Sequence, residues 1–133
     1  MLGKDFFVFW QIAQAFLSGA PLYSVPESLY PPATVLFFTP LGLLPFTIAF
    51  AIWSGINVVL YYLSLRHFTK EKPLLWFLYT PALFILLTGQ IDIIFLWIST
   101  LLYREQTWKK VLAAILLTLK PQIAFIMLPW HLV

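Results

Sequence analysis

Apolar residues fill this chain in long blocks that two short clusters of basic residues separate. Residues 33–65 form one apolar run of 33 residues, longer than the roughly 20 residues with which an α-helix crosses a bilayer. Pro40 and Pro45 divide this run, because proline interrupts helical hydrogen bonding. The pattern therefore predicts a short non-spanning or re-entrant helix over residues 33–44 and a first full span over residues 46–65.

A second apolar run, at residues 73–103, lies between the two basic clusters, both of which the positive-inside rule places on the cytoplasmic side. The run must then cross outward and return as a helical hairpin, with limbs of only about 15 residues, or roughly 22 Å of helix. The turn at Thr88-Gly89-Gln90 is therefore predicted to lie recessed below the outer surface, where its backbone is buried in protein or lines a wet cavity. The last run, at residues 111–133, rises outward as a final span with a break at Lys120-Pro121. The basic residues of the two clusters are Arg66, His67, Lys70, Lys72, Arg104, Lys109 and Lys110.

The N-terminal segment, at residues 1–32, is aromatic and apolar but contains no stretch that can span a bilayer. Gln11, Gln14 and Ser18 fall at i, i+3 and i+7, which is one stripe of a helix over residues 6–17. An aromatic helix with one polar stripe is typical of a segment that lies in the headgroup plane. The segment is predicted to be an interfacial helix on the outer side, with Asp5 at its start.

Composition fixes the class of protein. The chain has 133 residues, is 62% hydrophobic and 10% charged, and has a mean hydropathy of +0.91, which no soluble domain of this size could bury. We predict an all-α membrane protein: a polytopic helical bundle that forms a single domain over residues 1–133. The net charge of +3 does not indicate nucleic acid, because the basic residues lie in the two clusters. The chain has no cysteine and therefore offers neither a disulfide nor a thiolate metal site.

Two ionisable residues lie inside the predicted membrane segments. Asp92 is about 18 Å above the cytoplasmic boundary and Lys120 about 15 Å above it, if both segments are helical. A direct ion pair between neighbouring helices and a ligand site are equally good interpretations of this match in depth. Because Pro121 follows Lys120, the helix is expected to kink there, and an ammonium at a kink suits an anion such as a lipid phosphate.

Each remaining candidate residue also has a purely structural interpretation. When each residue is considered alone, that structural interpretation is favoured. Gly89-Gln90 suits a tight turn between helices, Tyr30 suits an interfacial anchor before Pro31-Pro32, and Asp5 suits an N-cap of the first helix. His67, His131 and the acids do not show the spacing of metal ligands, so no metal site and no cofactor are predicted.

Taken together, seven short motifs occur in an order that resembles glycosyltransferase family 87. This family includes polyprenol-phosphate-mannose-dependent α-mannosyltransferases of the multispanning C-type fold. The resemblance extends over nearly all of the chain. The motifs are Asp5-Phe-Phe-Val-Phe-Trp10, Phe16-Leu-Ser-Gly-Ala-Pro-Leu-Tyr23, Tyr30-Pro31-Pro32, Pro40-Leu-Gly-Leu-Leu-Pro45, Trp53 with Asn57, Gly89-Gln90-Ile-Asp92 and Lys120-Pro121-Gln122.

The resemblance implies a multi-pass plasma-membrane enzyme that moves a sugar, mannose in the family, from a polyprenyl-phosphate donor in the outer leaflet. The acceptor would be a hydroxyl of a glycolipid or glycan, and the transfer would invert the sugar. Asp5 matches the family's general base, while Lys120 and Gln90 are the candidates for holding the departing phosphate. Tyr30 and Asp92 complete the expected substrate-binding residues. Asp92 stands where the family's turn reads Gly-Gln-x-Asn, so its charge requires neutralisation by Lys120.

Family members are several times longer than this chain, and the span that precedes the catalytic acid in them has no counterpart here. The chain is therefore expected to be a fragment of a longer protein. The alternative is a non-catalytic membrane protein that binds or transports lipid, or a scaffold in which Asp92 and Lys120 only assemble helices. Asp5 discriminates between the two classes, because a scaffold has no use for a carboxylate there beyond capping.

Overall fold

The computed structural model describes residues 2–21, 24–26, 30–69, 73–103, 106–127 and 129. All regular secondary structure in these ranges is helical. Short 3-10 helices at Pro73–Leu78 and Leu101–Tyr103 flank the fourth and fifth α-helices. The predicted all-α fold class is confirmed. In chain order, the α-helices in these ranges are α1 (Lys4–Leu17), α2 (Pro32–Gly42), α3 (Phe46–Phe68), α4 (Thr80–Thr88), α5 (Asp92–Thr100), α6 (Thr107–Leu117) and α7 (Pro121–Met127).

Prolines set most of the helix starts. Pro31 and Pro45 adopt extended backbone angles immediately before α2 and α3, and Pro32 then occupies the first turn of α2, where it has no amide hydrogen to lose. Pro40 lies inside α2, two residues before the helix ends. The long apolar run is therefore divided at Pro45 and not at Pro40.

Among the described helices, α3 is by length and composition the one that could cross a bilayer unbroken. It has 23 residues and a mean hydropathy of 1.7. It also runs three residues beyond the predicted end of the first span, so Arg66 and His67 lie in its last turn. Positive charge there favours the helix, because the dipole makes that end negative.

The limbs of the hairpin predicted over residues 73–103 combine α-helix with 3-10 helix. Pro81 lies in the first turn of α4, which begins only at Thr80, and α4 and α5 have 9 residues each. The two segments bend by 116° at the turn between them, the geometry of a broken span or a re-entrant loop. The chain between Pro73 and Leu78 is 3-10 helix, so the first limb lacks a continuous α-helix.

The core forms where α1 packs on α2 and on the middle of α3. Phe9 stacks on Phe38 with ring centroids 4.4 Å apart and an interplanar angle of 7°. Gln14, which the polar stripe of α1 was expected to expose to headgroups, donates its side-chain amide hydrogen to the Gly42 carbonyl of α2. Much of the aromatic surface of α1 is therefore used against protein, while its placement in the headgroup plane stays a prediction. The buried residues of α1 are Phe6, Phe9, Ile12 and Ala13.

Candidate functional site

The turn between α4 and α5 is anchored to two other helices. Gly89 ends α4 in the left-handed conformation, with φ of 75°, as expected for a glycine at a helix C-terminus. Its carbonyl oxygen accepts a hydrogen bond of 2.8 Å from the indole Nε1 of Trp53 on α3. Two residues earlier, the Leu87 carbonyl accepts a 2.8 Å hydrogen bond from the backbone N–H of Gly3, just before α1. The predicted Thr88-Gly89-Gln90 turn is thus present, and it lies against the start of α1.

Asp5 lies in the first turn of α1, beside this contact. The next residue, Phe6, is fully buried, and its Cβ faces the Gly89 backbone. The N-cap of α1 is Gly3, with φ of 69°, and no side chain caps the helix. The interpretation of Asp5 as an N-cap is therefore wrong, because such a cap requires the helix to begin at Phe6 and it begins two residues earlier, at Lys4. Asp5 is partly exposed and follows, by two residues, the Gly3 that bonds to Leu87.

Gly89→Ala should destabilise the protein by about 2–4 kcal/mol. A Cβ at this position would lie 2.7 Å from Phe6 Cβ, and the positive φ adds strain for any residue with a side chain. Gly19→Ala is a matched control, because Gly19 has a φ of 74° but nothing within 4 Å of the new methyl group. Its cost should be only the backbone strain, about 1 kcal/mol. Equal losses of unfolding free energy in the two variants, measured in detergent, would show that Gly89 is not closely packed on α1.

Asp92 and Lys120 form an ion pair through Nζ and Oδ1. Asp92 is the first residue of α5, and Lys120 lies in the connection between α6 and α7. Their side chains retain 29% and 22% of their exposure respectively, so the pair is partly accessible. Of the two interpretations that the sequence left open, the ion pair is present, and the accessibility is compatible with a ligand at the same place.

The break before Pro121 differs from the expected kink in one detail. The Leu117 carbonyl, which would have lost its partner to the proline ring, accepts a 3.0 Å hydrogen bond from the Lys120 N–H instead. The chain therefore leaves α6 through a tight turn and restarts at α7, so Lys120 sits between two helices and not within one.

Tyr30 lies within electrostatic reach of both acids. Its ring packs on Phe9, with centroids 4.6 Å apart. Burial raises the pKa of the Tyr30 phenol, and the negative charges of Asp92 and then Asp5 raise it further. The phenol therefore stays protonated at neutral pH and can donate a hydrogen bond. The charges of Asp92 and Asp5 thus both act on the Tyr30 phenol.

Gln90, the remaining sequence-predicted residue, follows Gly89 directly and has a partly exposed side chain. Its backbone N–H donates a 3.1 Å hydrogen bond to the Ile85 carbonyl, which continues the α4 cap. The position of Gln90 is therefore fixed by the same turn that Trp53 and Gly3 anchor.

An apolar cavity of about 490 Å³ lies between α2, α3, α5 and α6. Ile91 and Leu119 in its wall are the sequence neighbours of Asp92 and Lys120, and Ala33 follows the Tyr30-Pro31-Pro32 segment. From these residues the cavity extends to Leu60 and Trp97. A second apolar cavity, of about 370 Å³, lies on the other face of α5 and has Asp92 in its wall. Apolar space next to an ion pair suits a lipid chain with a polar head.

Several sequence-based candidates lie outside the described residues. They are Glu27, Lys70, Lys72, Arg104 and His131. Within the ranges that are described, no group of three or more His, Asp or Glu is placed to hold a metal ion.

Two residues that anchor the α4–α5 turn were not predicted from the sequence. Gly3 was assigned no role, and Trp53 was named only as part of a motif with Asn57. The signal for Trp53 was its spacing: Asn57 lies one helical turn further along α3 and donates a 2.9 Å hydrogen bond to the Trp53 carbonyl. A Trp and an Asn on one face of a membrane helix indicate a polar contact inside the protein.

The family model described as glycosyltransferase family 87 matches residues 29–133 of the chain. The match includes Tyr30, Gln90, Asp92 and Lys120, whereas Asp5 precedes it. No curated protein and no solved structure matched the chain.

Proposed function

Because this chain belongs to glycosyltransferase family 87, we propose that it transfers a sugar from a polyprenyl-phosphate donor to an acceptor hydroxyl at the outer face of the plasma membrane. The observation that carries the proposal is the ion pair of Asp92 and Lys120 next to the 490 Å³ apolar cavity, and the Tyr30 phenol, on which the charges of Asp92 and Asp5 act, supports it. Such a place offers a base, a hydrogen-bond donor, a cation and room for an isoprenoid chain.

The donor lipid would lie with its chain in the apolar cavity and its phosphate at Lys120. An ammonium group has three N–H donors, of which Asp92 uses one, so two can reach phosphate oxygens. When the bond between the sugar and the phosphate breaks, the leaving phosphate gains negative charge. A cation already held in position by Asp92 stabilises that charge without reorganisation. Gln90 adds an amide donor from the neighbouring turn.

The acceptor hydroxyl would be activated by Asp5. The carboxylate takes the hydroxyl proton while the acceptor oxygen bonds to the anomeric carbon, and the electron pair of the broken bond leaves with the phosphate. Tyr30, which remains protonated, donates a hydrogen bond to a sugar or phosphate oxygen. Attack opposite the leaving group inverts the sugar. Mannose as the sugar, and a glycolipid or glycan as the acceptor, follow from the family resemblance and complete the proposal.

The donor class can be tested in membranes that contain the complete natural protein. Radiolabelled mannose supplied on a synthetic polyprenyl phosphate should appear in glycolipid or glycan products, and removal of the protein should abolish this transfer. Mannose supplied on a nucleotide should give no product once its loading onto endogenous polyprenyl phosphate is blocked. Equal use of the nucleotide-linked sugar would contradict the proposed donor.

The second candidate function, a lipid-binding or scaffold protein, rests on the same ion pair, which can join α5 to the α6–α7 connection without any reaction. That candidate predicts binding of the labelled lipid without transfer of its sugar. Absence of transfer to every acceptor, with the lipid retained by the protein, would favour it over the glycosyltransferase reaction.

A further inference from the structure

Trp53 contacts both halves of the proposed site although it carries no group that reacts. It is fully buried in the middle of α3. Its indole N–H donates to the Gly89 carbonyl at 2.8 Å, and its ring stacks on Phe6 at 5.8 Å and 23°. Gly89 precedes Gln90, and Phe6 follows Asp5. One side chain therefore touches the immediate neighbour of the proposed base and that of the phosphate-binding amide.

We propose that Trp53 is a positioning residue that fixes Asp5 relative to the Gly89-Gln90 turn. The proposal rests on the function given above, since it states which residue sets the geometry of that reaction. Its basis is the pair of contacts on opposite sides of one buried ring.

The hydrogen bond to Gly89 is specific because the acceptor has no other helical partner. Carbonyl groups in the last turn of a helix lack the N–H that would follow them, and the Gly89 carbonyl stands at the end of α4. Gly89 is itself buried, so water does not easily replace the indole donor. Loss of the indole N–H would therefore let the turn move away from α3.

Trp53 is held in turn by its own surroundings. Phe38 of α2 packs on its ring with centroids 4.8 Å apart, and the side chain of Asn57 donates to its carbonyl oxygen at 2.9 Å. The indole is thus held in position on α3, the longest described helix. The turn and α1 both contact α3 through this side chain.

The predicted kinetic effect is on kcat and not on the KM for the donor. A displacement of about 1 Å between reacting groups can cost about 10²-fold in rate. Lys120, which holds the phosphate, lies in the α6–α7 connection and not in the turn that Trp53 anchors. Trp53→Phe should accordingly lower kcat per folded molecule by about 10- to 100-fold, with the donor KM changed by less than about threefold.

A matched control makes the same substitution at another indole. The indole N–H of Trp10 donates to the Leu44 carbonyl at 3.0 Å, so Trp10→Phe removes a comparable hydrogen bond but leaves Trp53 and its neighbours in place. Its kcat per folded molecule should stay close to that of the natural protein, even where its stability falls. Isosteric residues introduced at position 53 sharpen the comparison: 5-fluorotryptophan keeps the N–H and should restore kcat, whereas benzothienylalanine, with sulfur in its place, should not. Equal kcat values with these two residues would overturn the proposal.

Hydrogen exchange distinguishes failure of this proposal from failure of the proposed function. The amides of Gly89 and Gln90 both donate to the Ile85 carbonyl, at 3.0 and 3.1 Å, and report on the turn directly. Both should exchange faster in Trp53→Phe and at the natural rate in Trp10→Phe. Unchanged exchange in Trp53→Phe would overturn the anchoring whether or not transfer is detected. If exchange is faster in Trp53→Phe but the natural protein transfers no sugar, the anchoring is supported and the proposed reaction is refuted.

Discussion

Asp92→Asn should lower the free energy of unfolding by about 3 kcal/mol, because it leaves the partly buried Lys120 ammonium without its carboxylate. This value is near the lower end for buried pairs, since the two side chains retain 22% and 29% exposure. Lys120→Met should have a similar cost. Lys110→Met, at an exposed position of α6, is the control and should change stability by less than about 0.5 kcal/mol.

The double variant, with Asp92→Asn and Lys120→Met together, should recover much of the lost stability. Neither remaining side chain is charged, so the penalty for an isolated ion disappears. Unfolding in detergent, followed for the natural protein, the two single variants and the double variant, gives the coupling free energy directly. Additive losses in the double variant would mean that the two residues do not stabilise each other.

The same double variant separates a structural pair from a ligand site. If Lys120 binds the leaving phosphate, the refolded double variant should still transfer sugar about 10²–10³-fold more slowly, the usual cost of losing a donor that stabilises developing charge. A stable double variant with natural transfer rates would reduce the pair to a link between helices.

Helix placement followed from the sequence where local rules apply. Pro31, Pro45 and Pro121 begin or precede helices as their fixed φ requires, and the matched depth of Asp92 and Lys120 made their pairing one of the two interpretations of these charges. These features depend on neighbours along the chain or on lengths that can be counted from it.

The packing of α1 on the α4–α5 turn could not be predicted in this way. An aromatic face has the same periodicity whether it meets lipid or protein, so the run containing Phe6 and Phe9 is equally suited to an interfacial helix. The contact of Phe6 with Gly89 joins residues more than 80 positions apart, and the hydrogen bond from Trp53 to Gly89 joins residues 36 positions apart. The start of α1 at Lys4 also depends on this packing, since Gly3 bonds to Leu87.

The central claim is that Asp5 is the general base. Asp5→Asn should cut sugar transfer from a polyprenyl-phosphate donor by about 10²–10⁴-fold, the usual contribution of such a base. Folding should survive, because Asp5 caps no backbone group and the amide is of similar size. Removing its charge near the positive end of α1 should cost only about 0.3–1 kcal/mol.

Glu27 provides the matched control, as another acid of the N-terminal segment, although it lies outside the described residues. The most direct test compares the initial rate of transfer by Asp5→Asn, Glu27→Gln and the natural protein, each normalised to folded protein. We expect a loss of about 10²–10⁴-fold in Asp5→Asn and a near-natural rate in Glu27→Gln. A natural rate in well-folded Asp5→Asn would contradict this expectation.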